Sequence, residues 1–214
     1  GAQYLSFTND YRVFFSKENP QLLAFENLQD TYSKNDNVMM ILVPADGTVF
    51  TPQTLQAVTW LTEKAWQTPF SSRVDSVSNY QHTYAEGDDL IVEDLVFADD
   101  ELTPEKFQQV RDIAINEPLL VNRLISKSGH VTGVNVTIQL KGVDLTTENP
   151  QVVNFIRDLR TEFKQKYPDI DMKLTGIIMM NNAFPEASQY DMQNLVPIMF
   201  LVFIVVLFFW VKGF

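Results

Sequence analysis

Residues 51–77 read TPQTLQAVTWLTEKAWQTPFSSRVDSV, and residues 149–180 read NPQVVNFIRDLRTEFKQKYPDIDMKLTGIIMM. Each stretch opens with a capping side chain, a proline and a glutamine, continues with helical spacing to a second proline, and then resembles a strand. An apolar segment precedes each helix, Val38–Pro44 in the first case and Val131–Leu140 in the second. The pattern predicts β-α-β twice, which in one shared antiparallel sheet gives an α+β, split βαβ (ferredoxin-like) sandwich. Chance similarity of two proline-bounded helices is the alternative.

Helix starts carry a common pattern, in which a capping residue stands before proline at the first helical position. The cap oxygen accepts an otherwise unpaired N–H, and proline has no N–H to lose there. Apolar residues at helical spacing follow each pair. The predicted starts are Asn19-Pro20, Thr51-Pro52, Thr103-Pro104 and Asn149-Pro150.

Strand signals lie between these helices. Val38–Pro44 is almost continuously apolar, which predicts a strand covered on both faces. The segments 119–125 and 131–140 flank Ser128-Gly129 and predict a hairpin, whose second arm alternates and should bury one face. The full set of predicted strands is Val38–Pro44, Arg73–Val77, Leu90–Phe97, Leu119–Ile125, Val131–Leu140 and Ile170–Met180.

The end of the chain differs from the rest. Residues 195–211 read LVPIMFLVFIVVLFFWV, 17 residues without a charged side chain. A helix of that length measures about 25 Å, close to the roughly 30 Å of a bilayer core. A buried core helix would show a polar face, and this segment is apolar all round. We therefore predict a membrane-spanning helix.

Charge predicts the orientation of that helix and excludes one class of partner. The chain carries 16 Lys and Arg against 27 Asp and Glu, a net charge of −11, so nucleic acid is not an expected partner. Residues 175–194 contain Glu186 and Asp191 but no Lys or Arg, and Lys212 follows the span. The positive-inside rule then places residues 1–194 outside the cytoplasm. We expect an earlier transmembrane helix before Gly1 to have exported them.

The sequence offers little for catalysis. Without cysteine there is no disulfide, thiolate metal site or cysteine nucleophile. His82 and His130 lack metal-ligand spacing, so we interpret them as surface or capping residues. The acidic stretch Glu86–Glu101 lacks EF-hand spacing, which favours a solvated surface over the alternative of a calcium site. We therefore expect no catalytic residue, metal or cofactor, and no enzyme.

Several motifs together resemble a known family. They are Asn9–Phe15 (NDYRVFF) with Asn19-Pro20, Val49–Thr51 (VFT), Val74–Tyr80 (VDSVSNY) and Gly87–Leu95 (GDDLIVEDL). In this order they resemble the first extracytoplasmic loop of a resistance-nodulation-division (RND) exporter. The branch is the one grouped with the mycobacterial large membrane proteins (MMPL) and predicted hydrophobe exporters. The resemblance covers essentially the whole chain.

The resemblance implies a domain organisation and a function. It divides the chain into residues 1–36 (an N-terminal segment and helix after a first transmembrane helix), 37–184 (a porter domain) and 185–214 (the start of the second transmembrane helix). It implies a proton-driven pump of the bacterial inner membrane that moves lipids or other hydrophobic molecules, with residues 1–194 in the periplasm. The family's proton-relay carboxylates lie in other helices, so none is assigned. A long docking subdomain for an outer-membrane channel is absent.

Partners and a substrate path also follow from the resemblance. The expected partners are a hydrophobic or lipid substrate, the membrane, and the second periplasmic loop of the same protein; a homo-oligomer is left open. The cleft wall should come from the exposed sheet face and from helices such as the one ending at Trp66. Trp60 and Trp66 are six positions apart and cannot share one helix face. One of them is a candidate for the substrate path or a partner surface, and at least one should pack in the core.

Two other functions remain open from the residues alone. A membrane-anchored extracytoplasmic sensor or ligand-binding domain would show the same single span and acidic soluble part. A tethered hydrolase is disfavoured, because no nucleophile can be paired with a base.

Overall fold

The computed structural model describes residues 15–31, 36–97, 103–142 and 145–212. The helices in these ranges are α1 (Pro20–Thr31), α2 (Pro52–Ala65), α3 (Pro104–Asn116), α4 (Leu145–Lys166) and α5 (Ile177–Lys212). The strands are β1 (Asp36–Pro44), β2 (Ser71–Asp75), β3 (Gln81–Glu86), β4 (Asp89–Asp94), β5 (Thr132–Ile138) and β6 (Ile170–Thr175). Most of the NDYRVFF motif and the end of the acidic stretch lie outside the described residues.

The main sheet has the strand order β2-β5-β1-β6, and every neighbouring pair is antiparallel. β5 lies between β1 and β2, and β1 lies between β5 and β6, so each β-α-β unit is split by a strand of the other. This is the predicted split βαβ arrangement, and the predicted α+β fold with a long apolar C-terminal helix is confirmed.

One face of the sheet carries the main core. The residues of β1 and β5 that point to this face are buried together with apolar residues of α2 and α4. The largest fully buried side chains of this cluster are Phe163, Met40, Leu42, Leu61, Ile138, Ile156 and Ile178. Both long helices of the soluble part therefore cover the same side of the sheet.

The opposite face of β1 is open, so the prediction that this strand is covered on both faces is wrong. Val38, Met40 and Leu42 are completely buried, whereas Met39 and Ile41 are half-buried and Val43 is 36% exposed. Because α2 and α4 both lie on one side, no helix of the described residues forms a layer on the other side of this antiparallel sheet. The unexpected consequence is an apolar stripe on an open surface.

Three of the predicted helix starts are confirmed, at Pro20, Pro52 and Pro104. Thr51 Oγ1 accepts a hydrogen bond from Thr54 N, and Thr103 Oγ1 accepts one from Lys106 N, each at 3.3 Å. These are the expected N-cap bonds, which satisfy N–H groups at the helix start.

The fourth predicted start, Asn149-Pro150, is wrong. α4 begins at Leu145, and Pro150 lies inside it. Glu148 Oε2 accepts a hydrogen bond from Gly142 N at 3.0 Å, which ties the first turn to the preceding loop. Pro150 removes one backbone hydrogen bond near the start of a 22-residue helix, and the buried residues Val152 and Val153 that follow stabilise the helix.

The chain between β2 and β5 forms an insertion that contains the β3–β4 hairpin and α3. A second buried cluster, the insertion core, joins α3, residues 120–125 and the residues flanking the hairpin to Val49 and Leu55 near the start of α2. The prediction for Leu90–Phe97 is confirmed over the shorter span of β4, while its partner β3 was not predicted. The predicted strand Leu119–Ile125 is wrong: these residues form turns with isolated bridges, and Asn122 has φ 61°.

The junction between β6 and α5 is a single glycine. The predicted strand Ile170–Met180 ends at Thr175, and α5 begins at Ile177. Gly176 has φ 116°, and a Cβ there would overlap the carbonyl oxygen of Asn37 and lie 2.9 Å from Val38 Cα. Only glycine allows the chain to turn this close to β1.

Candidate functional site

The candidate site is the open face of the sheet where the insertion overhangs it. Asp75, Asn135, Met39 and Thr175 stand side by side on four neighbouring strands. Asn37 Nδ2 donates a hydrogen bond to Asn135 Oδ1 at 2.7 Å, which fixes two polar side chains on this face. The face therefore combines an apolar stripe on β1 with polar side chains on either side.

A cleft of about 570 Å³ lies between this face and the overhanging turns of the insertion. A second hollow of about 310 Å³ adjoins it, and Met39, Arg123 and Leu124 line both. Volumes of this size are typical of small-molecule sites. The larger cleft is lined by Met39, Arg73, Asp75, Ser76, Asn79, Tyr80, Gln81, Leu119, Leu120, Arg123, Leu124 and Asn135.

The apolar part of the cleft comes from a turn in which one leucine is exposed and the next is buried. Leu120 is buried in the insertion core, while its neighbour Leu119 is 58% exposed. Glu117 Oε1 accepts a hydrogen bond from Leu119 N at 3.1 Å and so holds this turn. Leu119 and half-buried Leu124 and Met39 are thus available to an apolar ligand.

The charges of the cleft are unequal. Arg73 Nε donates to Asp75 Oδ1 at 2.7 Å, so these two charges compensate each other. Arg123 has no side-chain hydrogen bond or ion pair within the described part of the chain. The lining side chains include two arginines and one aspartate, and the Glu117 carboxylate borders the cleft at Leu119.

Tyr80 contributes a neutral hydroxyl to the same cleft. Burial, followed by the hydrogen bond with Glu117 and the charge of that carboxylate, raises the pKa of Tyr80 above its ordinary value. The phenol therefore stays protonated at physiological pH, with its single O–H directed to the Glu117 carboxylate.

Buried hydroxyls support the polar side of the cleft from behind. Thr62 Oγ1 lies 2.9 Å from Ser76 Oγ, and Ser76 Oγ lies 2.8 Å from Ser78 Oγ. Ser76 Oγ also donates to Asn79 Oδ1 at 3.0 Å, and Asn79 Nδ2 donates to Val74 O at 2.8 Å. The network fixes the turn after β2 to α2 but places no base beside Ser76, so we interpret it as structural.

Both histidines lie away from this network. His130 Nδ1 is 3.0 Å from Ser126 Oγ, and the ring of His82 stacks on Tyr84 with centroids 5.6 Å apart. Within the described ranges, no group of three or more His, Asp or Glu side chains is arranged to hold a metal ion.

The two candidate tryptophans are separated by the structure. Trp60 is half-buried between α2 and α4, with ring centroids 6.1 Å from Phe163 and 6.0 Å from Tyr167. Trp66 caps the C-terminus of α2 and is 51% exposed. Neither lines the cleft described above. A role for Trp66 at a substrate path or partner surface stays a prediction.

The helix α5 is the candidate connection between the domain and a membrane. Its 36 residues measure about 54 Å, more than the roughly 30 Å of a hydrocarbon core. Among the described residues it is the one helix long and apolar enough to cross a bilayer, and none of its most apolar window, of mean hydropathy 2.7, is buried. Ile178 and Asn182 are buried against the domain, and every residue from 197 to 212 is exposed.

An ion pair fastens the first part of α5 to α4. Arg157 Nη1 and Nη2 donate to the two carboxylate oxygens of Glu186 at 2.7 and 2.8 Å. This bidentate geometry sets both distance and orientation between the two helices. The domain and the apolar helix are therefore joined by Gly176, the buried residues of α5 and this pair.

A split βαβ domain with a cleft on its open sheet face, carried directly on an apolar helix, is consistent with a membrane-associated porter domain. A sequence model of the MMPL family matches residues 17–213. The chain belongs to the MMPL family, which is a family of membrane transporters. The resemblance to RND exporters of the MMPL branch is confirmed. No curated protein matches the chain.

Proposed function

We propose that this chain is the periplasmic porter domain and a membrane helix of a proton-driven RND-type exporter. Its substrates are lipids or other hydrophobic molecules, which it moves out of the bacterial inner membrane. The soluble part lies in the periplasm, since no Lys or Arg stands in residues 175–194 and Lys212 follows the apolar segment.

The observation that carries this proposal is the direct connection between the cleft and the membrane helix. β1, which supplies Met39 to the cleft, contacts the Gly176 junction from which α5 starts. The Arg157–Glu186 pair fixes α5 a little further along. A tilt of α5 in the membrane is therefore passed to the domain as a rigid-body movement, which is a common way for a transporter domain to open and close.

The cleft suits a hydrophobic substrate in transit. Met39, Leu119 and Leu124 offer an apolar surface without a deep cavity, so a ligand can enter and leave. The second periplasmic loop of the same protein is the partner that would close the open sheet face during the cycle. Proton transfer is assigned to none of the residues of this chain.

Export is tested by deletion of the full-length gene and complementation with wild type. The lipids of the inner and outer membranes are then profiled by mass spectrometry. We expect one lipid class to accumulate in the inner membrane and to return to its normal level on complementation. An unchanged profile, with unchanged sensitivity to hydrophobic toxins, would favour the membrane-anchored sensor instead.

A matched pair of variants connects export to the cleft. Leu119→Gln changes an apolar side chain in the cleft, and Val92→Gln changes one that is similarly exposed, at 54%, on the β3–β4 hairpin. Membrane levels of both proteins are measured by immunoblot. Loss of complementation by Leu119→Gln alone supports the cleft as the substrate path, whereas equal complementation by both excludes it.

A further inference from the structure

Arg123 has a position that the fold does not require. It follows Asn122, whose φ of 61° turns the chain, and it lines both hollows on the open sheet face. Its side chain is exposed and forms no ion pair with any described residue. The backbone N–H of Arg123 donates to Leu120 O at 3.1 Å, which holds the turn independently of the side chain.

The surroundings of Arg123 are apolar on one side and polar, with charges of both signs, on the other. Leu119, Leu124 and Met39 line the same cleft, and the charge of Arg73 is compensated by Asp75. The Glu117 carboxylate accepts from Leu119 N and interacts with Tyr80. Arg123 is therefore the cation of the cleft left for a ligand, beside a surface that suits an acyl chain.

We propose that the cleft binds an amphiphile with a negatively charged headgroup, the anion on Arg123 and the apolar chain on Leu119, Leu124 and Met39. This rests on the proposed function, in which hydrophobic molecules pass through the domain, and it adds the charge of the substrate. A cleft of about 570 Å³ accommodates a headgroup and part of one chain, while the remainder lies in the adjoining hollow.

Site-resolved photolabelling tests this binding. The full protein, in nanodiscs of phosphatidylcholine, is labelled with a long-chain fatty acid that carries a diazirine in its chain, and separately with the methyl ester of that acid. Adducts are assigned to individual residues by mass spectrometry, which distinguishes labelling in the cleft from labelling by probe dissolved in the bilayer. We expect acid adducts at Met39 and within residues 119–124. Competition by unlabelled palmitate or lysophosphatidate shows whether a carboxylate or a phosphate is the stronger ligand.

Variants separate charge from shape. Arg123→Gln removes the charge, Arg123→Lys keeps it, and Arg160→Gln removes an exposed arginine from α4, which lies on the other side of the sheet. We expect Arg123→Gln to raise the acid concentration for half-maximal labelling by about 1.5-fold to fivefold, as for a solvent-accessible charge pair. Arg123→Lys, Arg160→Gln and every ester titration should stay near wild type.

The outcomes distinguish this inference from the function on which it rests. If acid and ester label both wild type and Arg123→Gln equally, the cleft does not recognise the anion and this inference is overturned. Cleft adducts from both probes would still agree with the proposed export of hydrophobic molecules. Absence of cleft adducts from either probe would overturn the binding site itself. An unchanged lipid profile after gene deletion would overturn the proposed function, whatever the labelling of the Arg123 variants shows.

Discussion

Arg157 on α4 and Glu186 on α5 form a two-pronged ion pair, with both nitrogen–oxygen distances between 2.7 and 2.8 Å. The pair lies ten positions beyond the Gly176 junction and nine before the apolar segment that begins at Leu195. It therefore holds α5 against the domain at the point where the helix leaves it. Together with Gly176 and the buried residues Ile178 and Asn182, it connects the movement of α5 to the domain.

A double-mutant cycle measures how strongly this pair couples the helices. Arg157→Gln, Glu186→Gln and the double variant are unfolded with urea in detergent micelles and followed by circular dichroism. Both side chains are more than a third exposed, at 42% and 45%, so we expect a coupling free energy of only about 0.5–1 kcal/mol. Spin labels on α4 and α5 should show a broader distance distribution in each single variant. A distribution as narrow as in wild type would contradict the coupling role.

Gly176 is expected to tolerate no side chain. Gly176→Ala combines a φ of 116° with overlap against the β1 backbone, and we expect a loss of about 2–4 kcal/mol in the free energy of unfolding. Gly47→Ala is the control, because Gly47 has φ 74° but open space around it, which predicts a loss of about 1 kcal/mol. Equal losses for both variants in denaturant unfolding would show that the approach to β1 is looser than described.

Substitution of Trp60 is expected to lower the stability of the domain, whereas substitution of Trp66 tests a role in export. Trp60→Ala removes a ring that contacts Phe163 and Tyr167 between α2 and α4, with an expected loss of about 2–4 kcal/mol in unfolding free energy. Trp66→Ala removes an exposed ring, with an expected change below about 0.5 kcal/mol. If export by the full protein falls in Trp66→Ala at wild-type protein level, Trp66 lies at a partner surface or substrate path. Unchanged export would remove it from the candidates.

The buried hydroxyl network behind the cleft is expected to depend on Thr62. Thr62→Val leaves Ser76 and Ser78 with one hydrogen-bond partner fewer in a buried position, which should cost about 1–3 kcal/mol in unfolding free energy. Thr59→Val is the control, since Thr59 is half-buried and bonds only to Leu55 O in its own helix, at 3.0 Å. A similar small effect of both substitutions would show that the network does not hold the turn after β2.

Patterns local in the chain predicted much of the architecture. Proline after a capping residue marked the starts of α1, α2 and α3, because the cap bond and the missing N–H act within one helical turn. The same rule failed at Pro150, where buried residues further along the helix outweigh one lost backbone bond. It also gave no sign of β3, whose short polar strand is stabilised by pairing with β4.

The cleft itself could not be predicted in the same way. Leu119 and Leu120 are adjacent and chemically alike, yet one is 58% exposed and the other 1% exposed. Arg123 appears in the sequence as an ordinary surface residue. Its value as a candidate depends on its position over β1, which is a contact between distant parts of the chain. It also depends on the pairing of Arg73 with Asp75, two residues apart on β2.

The sequence by itself determined the split βαβ pattern, the membrane helix and the MMPL resemblance, because hydrophobic periodicity, helix caps and an uninterrupted apolar segment are properties of neighbouring residues. Only the tertiary structure decided which face of the sheet stays open, where α5 joins β1, and which cation is left unpaired beside an apolar surface. The reason is physical: burial and charge compensation depend on residues brought together from distant positions, and the chain order alone does not specify which side of a sheet its helices cover.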